Sequence, residues 1–163
     1  MITQVRLKEL LHYDSETGVF TRLSRPRCTT IKIGESAGAI DQRGYRVIKL
    51  DNGRYRASRL AWLYVRGVWP KKWIDHKSGD RANDAFANLR EATPAENARN
   101  AGTGKRNTSG VKGVHYRSTV WKWQARISVN GKRVSLGHFD SKEAAALAYR
   151  EAAQRQYGEF ARL

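Results

Sequence analysis

Hydrophobic and polar residues alternate at two different periods along this chain. Leu7, Leu10 and Leu11 recur at helical spacing behind Thr3, which predicts a short capped helix. "SETGVF" then offers a turn and a strand over Gly18–Leu23, and Ser24–Ser36 is basic and irregular. "GYRVIKLDNGRYRA" alternates strictly around Asn52-Gly53, a strong hairpin signal. Ser58 stands where a helix cap belongs, ahead of "RLAWLYVRG", with Gly67 as the stop. "KKWID" and "NLREA" are two short strands around the turn-rich loop "SGDRANDAFA". "TPAEN" opens a helix, with Thr93 as cap, Pro94 at the first helical position and Glu96 completing a capping box. The order here is strand, loop, strand, helix.

"AGTGKRNT" has no apolar period and reads as a linker. Beyond it, "GVHYR", "WKWQARISV" and "KRVSLGHF" predict three strands, the last two joined at Asn130-Gly131. "DSKEAAALAYREAAQRQYG" predicts a helix capped by Asp140 with Glu143 and ended by Gly158. Alternation gives this sheet an apolar face (Val114, Tyr116, Trp123, Ala125, Ile127, Val134, Leu136) and a polar one. Ala144, Ala145, Ala148 and Ala152 let the helix lie close to the apolar face, with Tyr149 filling the edge. The expectation is an α+β chain in two domains. Residues 1–100 hold a mixed lead-in and a ββα module; residues 101–108 link it to a three-stranded antiparallel sheet packed on one helix, residues 109–163.

Charge adds a partner. The 163 residues carry 31 Lys or Arg against 15 Asp or Glu, a net +16, which points to a polyanion, most simply nucleic acid. Between Glu96 and Asp140 there is no acid, yet nine Lys or Arg interleave with aromatics. A solvated face mixes both signs, so this run reads as a phosphate-facing track. The single cysteine, Cys28, excludes an internal disulfide and a cysteine zinc cage. No signal pattern or membrane-length apolar run stands out, so the expected place is the cytoplasm.

Asp75, His76, Asn88 and Asn97 form the first chemical constellation. Phosphodiester hydrolysis needs a base for the water and a cation for the phosphoryl and leaving oxygens. Histidine suits the base, and a carboxylate with an amide oxygen suits a hard ion such as magnesium. Asn88 can brace the loop through its backbone. Neighbours on a regular strand face opposite ways, so Asp75 and His76 share one site only if the strand ends or bends there. An isolated Asp-His pair is more often incidental. "RLAWLYVRGVWP", "IDH", "GDRANDAFANLREATPAENARN" together resemble the phage-type HNH endonucleases, relatives of intron-encoded homing nucleases, over about residues 5–100. The resemblance implies a ββα-metal site with His76 as general base, Asp75 and Asn97 as ligands of Mg2+ or Mn2+, and Asn88 orienting the loop. It also implies products with a 5′ phosphate and a 3′ hydroxyl. Many relatives carry His where this chain has Ser58, which puts full activity in question. Arg59 and Arg90 are phosphate contacts or, equally, partners in surface ion pairs.

The second constellation is the polar sheet face: His115, Arg117, Gln124, Arg126, Arg133 and Ser135. A short antiparallel sheet fits the DNA major groove, where Arg reads guanine and Gln reads adenine. Trp121 either packs on sugar and phosphate or is a partly buried core aromatic. The motif set around Gly113-Val114, Trp123, Leu136-Gly137 and Phe139-Asp140 resembles the APETALA / ethylene-response-factor DNA-binding domain over about residues 109–160. The resemblance implies that Arg117, Arg126, Arg133 and Ser135 face DNA, with Ser135 where plant members have Trp.

The leading expectation is a divalent-metal-dependent, homing-type endonuclease acting as a monomer on double-stranded DNA in a bacterial host cell, with no small-molecule cofactor and no membrane partner. Two other classes compete: a DNA-binding regulator on a decayed nuclease, which Ser58 motivates, and an RNA-binding protein.

Overall fold

The computed structural model describes residues 1–25, 31–51, 53–104 and 106–162, so Cys28, Asn52 of the hairpin turn and Lys105 of the linker lie outside it. The fold is α+β and forms two compact units, Met1–Thr93 and Pro94–Leu163.

In the first unit, Thr3 accepts a hydrogen bond from the Arg6 amide at 3.2 Å and starts α1, Gln4–Leu10. The helix stops one residue short of Leu11, which is extended and opens β1, Leu11–Tyr13. β1 pairs antiparallel with β2, Phe20–Arg22, placing Tyr13 opposite Phe20. β3 (Ala39–Ile40), β4 (Arg46–Leu50) and β5 (Gly53–Arg56) form a second antiparallel sheet in that order. β5 runs directly into α2, Ala57–Arg66. That continuity corrects one expectation. The capping position falls on Arg56, without a side-chain bond, and Ser58 is buried inside the first turn instead of capping it. Gly67 does end the helix, in the left-handed region at φ 76°. Leu7, Leu11, Phe20, Ile48 and Leu60 are fully buried in one core, each contributing about 1.5–3 kcal/mol. Against that core lies an antiparallel hairpin, β6 (Trp73–His76) and β7 (Leu89–Ala92), whose long loop ends in a 3-10 turn, Phe86–Asn88.

The second unit opens with α3, Pro94–Asn100, with proline at its first helical position. β8 (Val114–Arg117), β9 (Lys122–Val129) and β10 (Lys132–Phe139) form an antiparallel sheet with β9 central. α4, Lys142–Tyr157, packs on it. Its cap is Ser141, which accepts from the Ala144 amide, one residue later than Asp140. The buried stripe is Ala145, Tyr149, Ala152 and Ala153, with Ala146; Ala144 is exposed. Gly113 is required here: a Cβ on it would come within 2.3 Å of the Tyr149 ring. No helix is long and apolar enough to cross a membrane, among the described residues.

Candidate functional site

β6 ends at His76, so Asp75 and His76 occupy the last two positions of its strand, where it meets the loop. Asp75 stands directly across from Arg90, and His76 from Leu89. Arg90 Nε donates to Asp75 Oδ2 at 2.9 Å, and Nη2 lies 2.8 Å from the same oxygen. Both residues are buried, Asp75 to 4% exposure, so Arg90 is a buried structural partner rather than a surface cation. A buried carboxylate needs such a partner, because desolvation of a lone charge costs several kcal/mol.

His76 is also 4% exposed, and its Nε2 lies 3.0 Å from Asp84 Oδ1. Its ring sits 5.9 Å from that of Tyr45. Asp84 is 2% exposed, and its Oδ2 has no hydrogen-bond partner among the described residues. Burial pushes the Asp84 carboxyl above its ordinary range, and the contact with His76 pulls it back. The Asp84 carbonyl accepts from the buried Tyr13 hydroxyl at 2.7 Å, so β1 anchors this segment. Sequence reasoning missed Asp84. Asp80 and Asp84 look alike in a turn-rich loop, and only the Phe86 that follows Asp84 hints that this end of the loop turns inward.

Asn88 ties the loop at both ends. Its Oδ1 accepts from the Ser78 amide at 2.9 Å, and its Nδ2 donates to the Asn83 carbonyl at 2.8 Å. Arg59 reaches the carbonyls of Pro70 and Lys72 at 3.5 and 3.4 Å and lies over the Trp69 ring. It therefore clasps the loop after α2 and forms no ion pair among the described residues.

Asn97 lies in α3, within the second unit. The C-terminal end of this helix is capped by Lys112. The ammonium donates to the carbonyls of Arg99 and Ala101, each at 2.6 Å, and stands 3.4 Å from that of Ala98. A cation there meets the negative end of the helix dipole. Arg99 adds a contact over the Tyr157 ring, 5.0 Å from its centroid. No group of three or more His, Cys, Asp or Glu converges as a metal cage among the described residues. The oxygen donors of the Asp75 carboxylate and the Asn97 amide suit, in kind, a hard ion that keeps most of its waters.

On the sheet of the second unit, β9 sets the rows. Arg117 faces Lys122, His115 faces Gln124, Ser135 faces Arg126, and Arg133 faces Ser128. The register shifts between Ser135 and Gly137, and this bulge brings His138 opposite Gln124, a position that strict alternation cannot give. Gln124 is 5% exposed and donates to Ser135 Oγ at 3.4 Å, so it lies in the floor of the face. Arg117, Arg133 and Ser135 are exposed, while His115 and Arg126 are half-buried. Burial, then the charges of Arg126, Arg117 and Arg133, lower the His115 pKa, so the ring favours its neutral form among these cations. Trp121 is 78% exposed at the β8–β9 turn, with φ at 53°, and so is not a core aromatic.

Two family models match the chain, one for an HNH endonuclease over residues 55–99 and one for an AP2 domain over residues 109–159. The chain is similar to Protein 3.8 of Escherichia phage T7, at 38% identity over 112 residues, 66% of this chain and 92% of that protein. It is also similar to an uncharacterized HNH endonuclease of Acanthamoeba polyphaga mimivirus, at 30% identity over 120 residues, 72% of this chain and 61% of that protein.

Proposed function

Because the chain belongs to the HNH endonuclease family and carries an AP2 domain behind its HNH segment, we propose that it is a metal-dependent endonuclease that cuts double-stranded DNA. The observation that carries this reading is the His76–Asp84 pair, a buried imidazole held at 3.0 Å by a carboxylate. The contact with Asp84 holds the imidazole in place, and Asp84 stabilises the imidazolium formed when His76 takes a proton from water. Asp75 and Asn97 are the proposed oxygen ligands of Mg2+ or Mn2+. When bound, the ion supplies the charge that stabilises the phosphoryl and leaving oxygens. Arg90 pairs with the Asp75 carboxylate and fixes its position, and Asn88 holds the loop that carries Asp84.

The AP2 sheet, through Arg117, Arg126 and Arg133 with His115, Ser135 and Trp121 beside them, is the proposed DNA anchor. Gln124 acts there by holding Ser135. Tethering an anchor to a cutter raises the cutter's effective concentration at its site. The similarity to a protein of an Escherichia phage supports action inside a bacterial host, and the homing-type reading rests on the resemblance to intron-encoded nucleases.

The test is supercoiled plasmid incubated with Mg2+ or Mn2+. Wild type is expected to nick or linearise it, and His76→Ala to leave it intact. Wild type that leaves supercoiled plasmid untouched with either ion sinks the proposal. It would favour a second reading, a DNA-binding protein that no longer cuts. Two observations lend that reading weight: Asp75 and His76 are each only 4% exposed, and Ser58 is shut inside α2.

A further inference from the structure

Three separate elements bring arginines to one aromatic ring next to His76. Tyr45 follows the turn between β3 and β4, and its ring centroid lies 5.9 Å from that of His76. The Arg56 guanidinium, at the end of β5, sits 4.0 Å from the Tyr45 centroid. The Arg81 guanidinium, from the β6–β7 loop, sits 5.0 Å from it. Arg81 also donates through Nη1 to the Arg43 carbonyl at 2.9 Å, which fixes the side chain against the β3–β4 turn.

The nearby acids direct their hydrogen bonds to backbone amides, and Asp41 meets Arg56 through charge alone, without a salt bridge. Asp41 Oδ1 accepts from the Arg43 and Tyr45 amides at 2.8 and 2.9 Å, and Asp80 Oδ1 accepts from the Ala82 amide at 3.0 Å. Neither Arg56 nor Arg81 forms a salt bridge among the described residues, and both are exposed. An arginine laid over an aromatic ring loses little further freedom on binding, and its N–H edge stays available. That edge matches phosphate, which it holds through paired hydrogen bonds.

We infer that Arg56 and Arg81, steadied by Tyr45, form a clamp for DNA backbone phosphates beside the strand position presented to His76. The inference rests on the nuclease reading and deepens it, since it assigns to the first unit a DNA-gripping surface separate from the AP2 sheet. Tyr45 is a positioning residue, and the two arginines make the contacts.

The experiment measures duplex DNA affinity against salt with the full chain on a His76→Ala background, so that no substrate is consumed. Arg56→Gln and Arg81→Gln are each expected to flatten the slope of log affinity against log salt by about 1, and the double change by about 2. Thermal unfolding is expected to stay where it is, because both guanidiniums are exposed. Tyr45→Leu, with the arginines intact, is expected to weaken affinity without changing the slope by a full unit. Unchanged slopes in both single variants overturn the clamp, as does a slope change that appears only together with a lowered unfolding temperature. The outcome is independent of turnover: a protein that never cuts plasmid but shows these slopes retains the clamp and loses the nuclease reading.

Discussion

Gly18 and Asp84 are packed backbone against backbone. A Cβ on Gly18 would lie 2.3 Å from the Asp84 carbonyl carbon and 2.3 Å from the Ala85 nitrogen, and Gly18 itself sits at φ 77°. The turn between β1 and β2 therefore packs against the backbone of the residue whose carboxylate holds His76. Gly18→Ala is expected to cost on the order of 3 kcal/mol in stability, from left-handed strain and backbone displacement together. It is also expected to lower cleavage at temperatures where the chain remains folded. Urea unfolding and plasmid nicking on the same preparation check both effects.

Asp84→Asn retains the shape of the side chain and removes its charge. Cleavage is expected to fall about 10–100-fold in the rate at saturating DNA, with little change in DNA affinity, as befits a group that acts through His76. Stability is expected to move the other way. Burial raises the Asp84 pKa in the folded chain above its ordinary 3.8. The folded chain therefore binds this proton more tightly than the unfolded one. The stabilisation from it is full below the unfolded value and is lost as pH rises through the folded value. The Asn variant does not titrate, so its advantage over wild type is expected to grow as pH rises from the acid range toward neutrality. Urea unfolding of both proteins across that range reads the trend.

Arg90→Met leaves the Asp75 carboxylate buried without its guanidinium. The expected loss is about 3–5 kcal/mol, seen in thermal or urea unfolding. Adding Asp75→Asn to Arg90→Met is expected to restore part of it, because no buried charge remains. An Arg90 that served only as a phosphate contact would show neither the large loss nor the recovery.

Lys112→Met removes the ammonium that bridges the last carbonyls of α3. The expected cost is about 2 kcal/mol, confined largely to that helix. Faster amide hydrogen exchange in residues 97–101, with protection in β9 and α4 unchanged, is the signature to look for.

The Asn130-Gly131 turn specifies the β9–β10 hairpin, and the Asp-His pair with the amides downstream marks the β6–β7 hairpin, because these signals are local. What escaped sequence reading depends on contacts far apart in the chain. Ser58 is inside α2, not at its cap, because β5 enters the helix without a break. His138 joins the polar face only through the shift after Ser135, which no alternation rule anticipates. Asp84 is distinguished from Asp80 by burial against Tyr13 and Gly18, residues some seventy positions earlier. Arg90 and Arg59 read as phosphate contacts or partners in surface ion pairs, yet one pairs with a buried acid and the other clasps a loop.

The HNH match ends at residue 99, so residue 100 is the natural place to divide the two matched segments. The carbonyls at the end of α3 argue otherwise, since their donor is thirteen and eleven positions further on, in the AP2 segment. A fragment stopping at residue 100 keeps Asn97 but leaves its helix frayed, and the AP2 segment alone retains a lysine with nothing to cap. The end of the HNH match therefore falls inside a helix whose last carbonyls are capped from the AP2 match, and swapping either segment for that of another protein means choosing first which one keeps α3.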